Sequence, residues 1–180
     1  MLVNFKFQPT LQNDLVLLRP LLQSDFDSLY KVASDPLIWE QHPSKERSQL
    51  KGFTDFFNTA IQSQTAFAII DITTQEIIGS SRYTLIEEIP NSISIGFTFL
   101  ARKYWGKGYN KSFKTLMIDY AFQYFDIILF YVDIHNFRSQ KAVEKLGAVR
   151  IHTYKGKTLT QRPNAGAIFI LDKNSFDAVR

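Results

Sequence analysis

The chain has 180 residues, 45% of them apolar, a formal net charge of +4 and no cysteine. That suits one α/β unit spanning residues 1–180, with a core of ordinary size, and excludes disulfides, thiolate catalysis and Cys-ligated metal sites. The basic balance suits an anionic, phosphorylated ligand, but no run of basic residues is dense enough for a nucleic-acid-binding arm.

Residues 14–19 (DLVLLR) read as a first strand, which Pro20 ends because it has no N–H to donate. Ser24 is the expected N-cap of a first helix with Asp27 at N3, and Phe26, Leu29, Tyr30 and Ala33 form its apolar face. Asp35-Pro36 stops it. An irregular stretch over 36–46 carries Trp39 and His42, and a second helix is predicted over 47–63 from Leu50, Phe53, Phe57 and Ile61. Residues 66–72 and 77–85 read as a hairpin, and 93–99 as a further strand.

The period then changes. From 109 to 125 the positions Phe113, Leu116, Met117, Tyr120, Ala121 and Tyr124 form the stripe of a long helix. A buried strand is predicted over 127–132, and a helix over 137–146 that stops at Gly147. Strands near 148–155 and 166–171 follow, with a polar loop over 157–164 between them. Consecutive strands favour a meander, and the later β-α-β demands a parallel pair. A mixed sheet with helices on both faces satisfies both.

Two segments carry chemistry. In residues 99–112 (FLARKYWGKGYNKS) a strand ends, Gly106 and Gly108 flank one residue, and a helix begins. Backbone N–H groups in such a turn, with the helix N-terminus behind them, bind anions, and Lys103, Lys107 and Lys111 add charge at the edge. A plain tight turn is an equal reading of those residues alone. The dinucleotide fingerprint fails because Lys111 stands where glycine is needed, and a P-loop fails on spacing. In the second segment Asn136 caps a helix with Ser139 in its first turn, and alone this reads as an ordinary capped helix.

Together with residues 15–36 (LVLLRPLLQSDFDSLYKVASDP), these segments resemble the GNAT superfamily of N-acetyltransferases, and within it the ribosomal-protein branch and its relatives. The resemblance covers nearly the whole chain. It implies a mixed, mostly antiparallel central sheet with one splayed parallel pair, 93–99 beside 128–133. It also implies acetyl-CoA as cosubstrate and a primary amine, on a small molecule or a protein N-terminus, as acceptor. By resemblance the pyrophosphate turn falls on Lys103, Gly106, Lys107 and Gly108, and amides of Tyr109, Asn110 and Lys111 continue it. The pantetheine element falls on Asn136 and Ser139, and the backbone at Phe97 and Phe99 would meet the oxyanion.

The proton chemistry departs from the family pattern. Ser94 stands where many relatives carry a glutamate base, and Val143 where many carry a tyrosine acid. Ser139 is then the candidate partner of the leaving thiolate. A protonated amine needs a base, for which His42 and Glu87 are candidates beside Glu88 and His135. The resemblance places Trp39 and His42 at the acceptor site. A catalytically weak or inactive acyl-CoA-binding module that contacts another protein is the alternative.

His42, His135 and His152 lack tight ligand spacing, so no metal is expected. No apolar window is long enough to span a membrane, and the N-terminus lacks a secretory pattern. A cytoplasmic location without a membrane partner is therefore expected, and apolar strands near the C-terminus are compatible with a homodimer.

Overall fold

Alternating burial builds the sheet. In β3 (Ala66–Asp71), Phe67 and Ile69 enter the core on one face, while Ala66 and Ala68 enter the core on the other, as the two-residue period of a pleated strand requires. The small alanines leave room for the aromatic side chains of two helices packed over them. These are α1 (Phe26–Ala33) and α2 (Leu50–Ser63), which bury Leu29, Ala33, Phe53, Phe56, Phe57 and Ala60. The opposite face is covered by α3 (Tyr109–Ala121), through Phe113, Met117, Ile118 and Ala121.

The computed structural model describes residues 5–154, 157–158 and 166–180. Before α1 come β1 (Leu11–Gln12) and β2 (Val16–Pro20), and β4 (Ile77–Leu85) and β5 (Ser92–Leu100) follow β3. After α3 come β6 (Ile127–Val132), α4 (Phe137–Glu144), β7 (Val149–Ile151), the short pair β8 (Thr153–Tyr154) and β9 (Lys157–Thr158), β10 (Ala167–Asp172) and α5 (Lys173–Asp177). Eight strands form one sheet in the order β1-β2-β3-β4-β5-β6-β10-β7. Each neighbouring pair is antiparallel except β5 and β6. The expected mixed sheet, with its parallel pair and helices on both faces, is what the chain forms.

Several local expectations are corrected. Ser24 lies inside a 3₁₀ turn, Gln23–Asp25, and Asp25 takes the N-cap position of α1 without capping it. Its carboxylate is engaged elsewhere, accepting from both terminal nitrogens of Arg19 at 2.7 and 2.8 Å and from Leu22 N–H at 2.8 Å. α2 starts later than predicted because Lys45–Ser48 form a separate 3₁₀ turn. Leu50, at its first residue, is 55% exposed, and Phe56 takes a place in the buried face instead.

α3 stops at Ala121, and Tyr124 is exposed rather than part of the stripe. The predicted strand over 148–155 is broken into β7 and β8. Of the polar loop expected over 157–164, residues 157 and 158 form β9, and the remainder lies outside the described residues. α5 was not foreseen. Asp172 caps it, accepting from Ser175 N–H at 2.8 Å, and Phe176 anchors it in the core.

One irregularity shapes the centre of the sheet. Arg82 of β4 pairs with Gly96 and Ser80 with Phe99, so Phe97 and Thr98 together oppose Ser81. That is a β-bulge, and Phe97 takes a φ of 52° within it. The parallel pairing of β5 with β6 covers Ser92↔Ile127, Ile93↔Ile128 and Ser94↔Leu129 and goes no further, although β6 stays paired to β10 as far as Val132. The two strands part just before the bulge.

The bidentate Arg19–Asp25 contact ties the end of β2 to the start of α1. Charge-assisted bonds of this type are worth more than neutral ones. Asp25→Ala is therefore expected to lower unfolding stability by about 2 kcal/mol in urea titration; an unchanged midpoint would refute this role.

Candidate active site

Where β5 and β6 part, a cleft of about 600 Å³ opens. It reaches from the turn ahead of α3, past the bulge, to the loop after α1. Its lining brings together Trp39, His42, Phe97, Phe99, Gly106, Gly108, Asn110, Lys111, Asn136 and Ser139. These residues come from four separate segments, and ten of the positions proposed from the sequence thus meet around one space.

The glycine turn forms one end. Gly106 and Gly108 have φ values of +73° and +83°, where side chains are strained. A Cβ built at either would meet nothing within 4 Å, so the space above the turn is open. Gly108 is the N-cap of α3, and no side chain caps that helix. The first N–H groups of α3 therefore face open space with the positive end of the helix dipole behind them, as a pyrophosphate requires. This end of the cleft fits the phosphates of acetyl-CoA.

The opposite wall is the start of α4. Asn136 is buried, and its side-chain oxygen accepts from Ser139 N–H at 3.1 Å. This cap leaves the Ser139 side chain on the cleft wall. Between them Arg138 reaches across. Its guanidinium donates to Ile38 C=O at 2.9 Å and lies 4.0 Å from the centre of the Trp105 ring, while its N–H donates to the Gln41 side chain. Arg138 thus links α4 to both the glycine turn and the loop after α1, a role that the sequence reading missed.

Trp39, His42 and Phe99 make the aromatic side of the cleft. Trp39 is buried, its indole N–H donates to Ala33 C=O at 2.7 Å, and it packs on Phe99 and His42. His42 Nδ1 accepts from Ser44 N–H at 2.9 Å, and Nε2 lies 3.5 Å from an Arg47 nitrogen. A neutral imidazole has one lone pair, and in either tautomer it faces a protein donor here. Burial, with the Arg47 charge adding to it, pushes the His42 pKa down to about 4. His42 is thus at the proposed place, but as a neutral wall residue with its lone pair engaged.

Other proposed residues stand apart from the lining. Lys103 is paired with Glu76 at 2.6 Å on the surface. The Tyr109 hydroxyl donates to Asp71 at 3.3 Å, and its ring packs against Tyr104. Lys107, Glu87, Glu88 and His135 are exposed and do not line the cleft. Ser94 is buried and also lies off the lining.

Lys114 is the cleft residue least anticipated. It is 4% exposed, lines the cleft from α3, and donates to Thr98 Oγ1 at 2.7 Å and Ser81 Oγ at 3.2 Å. Burial alone pushes its pKa down to about 7. The signal was present in the sequence: Lys114 stands three and four residues before Met117 and Ile118, on the buried stripe of α3.

The environment of His42 has a measurable consequence. The folded ring binds fewer protons than the unfolded one, so its contribution to stability is intact above pH 6.5 and is lost as pH falls toward 4. NMR titration should give His42 a midpoint near pH 4, and His42→Gln should flatten the acid side of the stability profile. A midpoint near 6.5 would contradict the described environment.

Comparison with known proteins accords with this architecture. Residues 16–149 match the family described as Acetyltransferase (GNAT) domain. An uncharacterized N-acetyltransferase p20 from Bacillus licheniformis is 30% identical over 118 residues, covering 63% of this chain and 66% of that protein, slightly less than two thirds of its length. A GCN5-related N-acetyltransferase from Brucella melitensis superimposes with a TM-score of 0.77 at 19% identity, over 96% of this chain and 82% of that one. A spermidine N-acetyltransferase from Vibrio cholerae, solved with CoA and spermine, gives a TM-score of 0.62 at 18% identity, over 91% and 99% of the two chains. These names do not single out the ribosomal-protein branch. With the family match spanning both the bulged strand and the glycine turn, the chain belongs to the GNAT acetyltransferase domain family.

Proposed function

We propose that this chain is an acetyl-CoA-dependent N-acetyltransferase whose acceptor is a primary amine of a small molecule or a protein N-terminus. The observation that carries the reading is the open two-glycine turn at the start of α3, continuous with a cleft between two parting parallel strands.

In this reading the N–H groups of residues 108–111 hold the pyrophosphate, helped by Lys111 at the cleft edge. The pantetheine arm lies between β5 and β6, where the facing edges of the two strands are no longer paired with each other. Backbone N–H groups at the bulge, from Phe97 to Phe99, stabilise negative charge on the thioester oxygen. Ser139, on the α4 side, donates toward the sulfur. The amine enters past Trp39, His42 and Phe97, and burial in one cleft supplies the alignment that makes attack fast.

The lining also bears on acceptor choice. Asp133 is its acidic residue, set against Lys111, Arg138, Lys141 and Lys145. Positive charge of this density suits the phosphates of the cosubstrate and repels a polycation. Together with the aromatic wall, it favours an acceptor carrying one amine and an apolar neighbour over a polyamine.

The test is free-thiol release from acetyl-CoA with a panel containing spermidine, an aromatic monoamine and peptides with free N-termini. Turnover with a monoamine or peptide above that with spermidine is expected. Acetyl-CoA binding without turnover on the whole panel would instead favour an acyl-CoA-binding module. Gly108→Trp fills the turn and should weaken acetyl-CoA binding at least tenfold by calorimetry, about 1.4 kcal/mol. Undiminished affinity in a folded Gly108→Trp protein would remove the turn from the binding site.

A further inference from the structure

A cation in an apolar interior is costly unless it is paired. Lys114 is nonetheless buried in the middle of the molecule. The groups around it are the Ser81 hydroxyl of β4, the Thr98 hydroxyl of β5, the Phe130 ring of β6 at 5.8 Å and the Phe113 ring of its own helix at 5.6 Å. Among the described residues no carboxylate and no second cation faces it from any of these elements. Residues 1–4, 155–156 and 159–165, outside the described set, contain no Asp or Glu. Packing alone does not account for a lysine here, since a methionine would fill the same slot without the desolvation cost.

The location supplies a reason. Thr98 is the second residue of the bulge, and both it and Lys114 line the cleft. Thr98 Oγ1 is 2.7 Å from Lys114 Nζ and 2.8 Å from Ser81 Oγ, and both hydroxyls lie within reach of Gly96 C=O, at 3.3 and 3.4 Å. A chain of exchangeable protons therefore runs from the cleft wall to a buried amine. It lies beside the strand that carries the proposed oxyanion site. Deepening the transferase reading above, and resting on it, we propose that Lys114, acting through the Thr98 hydroxyl, takes the proton from the acceptor amine and returns it to the leaving sulfur.

The protons balance as follows. The bound ammonium gives a proton to Thr98 Oγ1 while Thr98 passes its own hydroxyl proton to the lone pair of neutral Lys114, leaving a free amine, an unchanged threonine and a Lys114 ammonium. As the C–N bond forms and C–S breaks, Lys114 sends its proton back through Thr98 to the sulfur, which leaves with the bonding pair. The second amine proton passes to solvent as the amide forms. Lys114 ends neutral, ready for another turnover. Burial keeps its pKa at about 7 in the folded protein, so both forms are present near neutrality.

Lys114 is a positioning and proton-holding residue in this scheme, and the pH profile separates that role from packing. Thiol release would be followed with acetyl-CoA and the best amine of the panel from pH 5.5 to 9.5, for the unmodified protein, Lys114→Met, Lys114→Arg and Thr98→Val. The unmodified protein should lose kcat below a midpoint near pH 7. Lys114→Met should lower kcat at pH 7 by about 10²-fold and move the acid limb up toward the amine's own pKa, with acetyl-CoA affinity by calorimetry retained. Lys114→Arg, which stays charged, should not rescue it. Thr98→Val keeps the lysine and should behave like Lys114→Met, so the test survives if one variant fails to fold. An unchanged limb in folded Lys114→Met or Thr98→Val overturns the inference and leaves the transferase reading intact. No thiol release by the unmodified protein with any amine overturns the transferase reading and the inference with it.

Discussion

The site depends on the parting of β5 from β6. Parallel strands normally exchange hydrogen bonds along their length, and here they do so at three consecutive pairs and then separate. The bulge at Phe97–Thr98 bends β5, while β10 continues to hold β6. Arg82 steadies the distortion: its guanidinium lies 3.4 Å from the centre of the Phe97 ring and donates to Thr59 C=O on α2. A sheet edge is thereby created inside the molecule, and an extended ligand can pair with it without competing with solvent-exposed edges.

Two desolvated nitrogen bases, half-buried His42 and buried Lys114, flank this opening, and their surroundings give them different capacities. His42 is desolvated and has its lone pair against a backbone N–H, so the ring is held neutral and in place. Lys114 is desolvated too, but its neighbours are hydroxyls that can donate or accept. Only the second arrangement lets a proton come and go without breaking a structural hydrogen bond. Of the bases the sequence suggests, Glu87 is exposed away from the cleft, and the lone pair of His42 is engaged. Arg138 contributes differently, by fastening the α4 start to the loop carrying Trp39 and His42 so that the two sides of the cleft keep a common register.

Much of this was legible in the chain because local patterns carry it. β6 falls on the predicted residues, as its run of consecutive apolar residues allows for a strand covered on both faces. Gly106 and Gly108 announced a turn that L-residues cannot easily make, and the turn is there. Ser24 misled because its spacing to Asp27 matches a cap, whereas the distant partner Arg19 decides what Asp25 does. Lys114 was passed over because a lysine reads as surface until the helix face is laid against the sheet. The bulge is invisible in principle to periodicity, since Phe97 and Thr98 are ordinary strand residues and only their pairing with a single Ser81 reveals the extra one.

The central claim is that the gap between β5 and β6, ending on the glycine turn, is the seat of acetyl-CoA. Amide hydrogen exchange with and without CoA reads this directly, because each backbone N–H reports its own protection. Slowed exchange on CoA binding is expected at residues 97–99 and 108–111, with no change in the β2–β3 pairing. Binding that leaves both segments unprotected, or protects a different part of the molecule, would contradict the account.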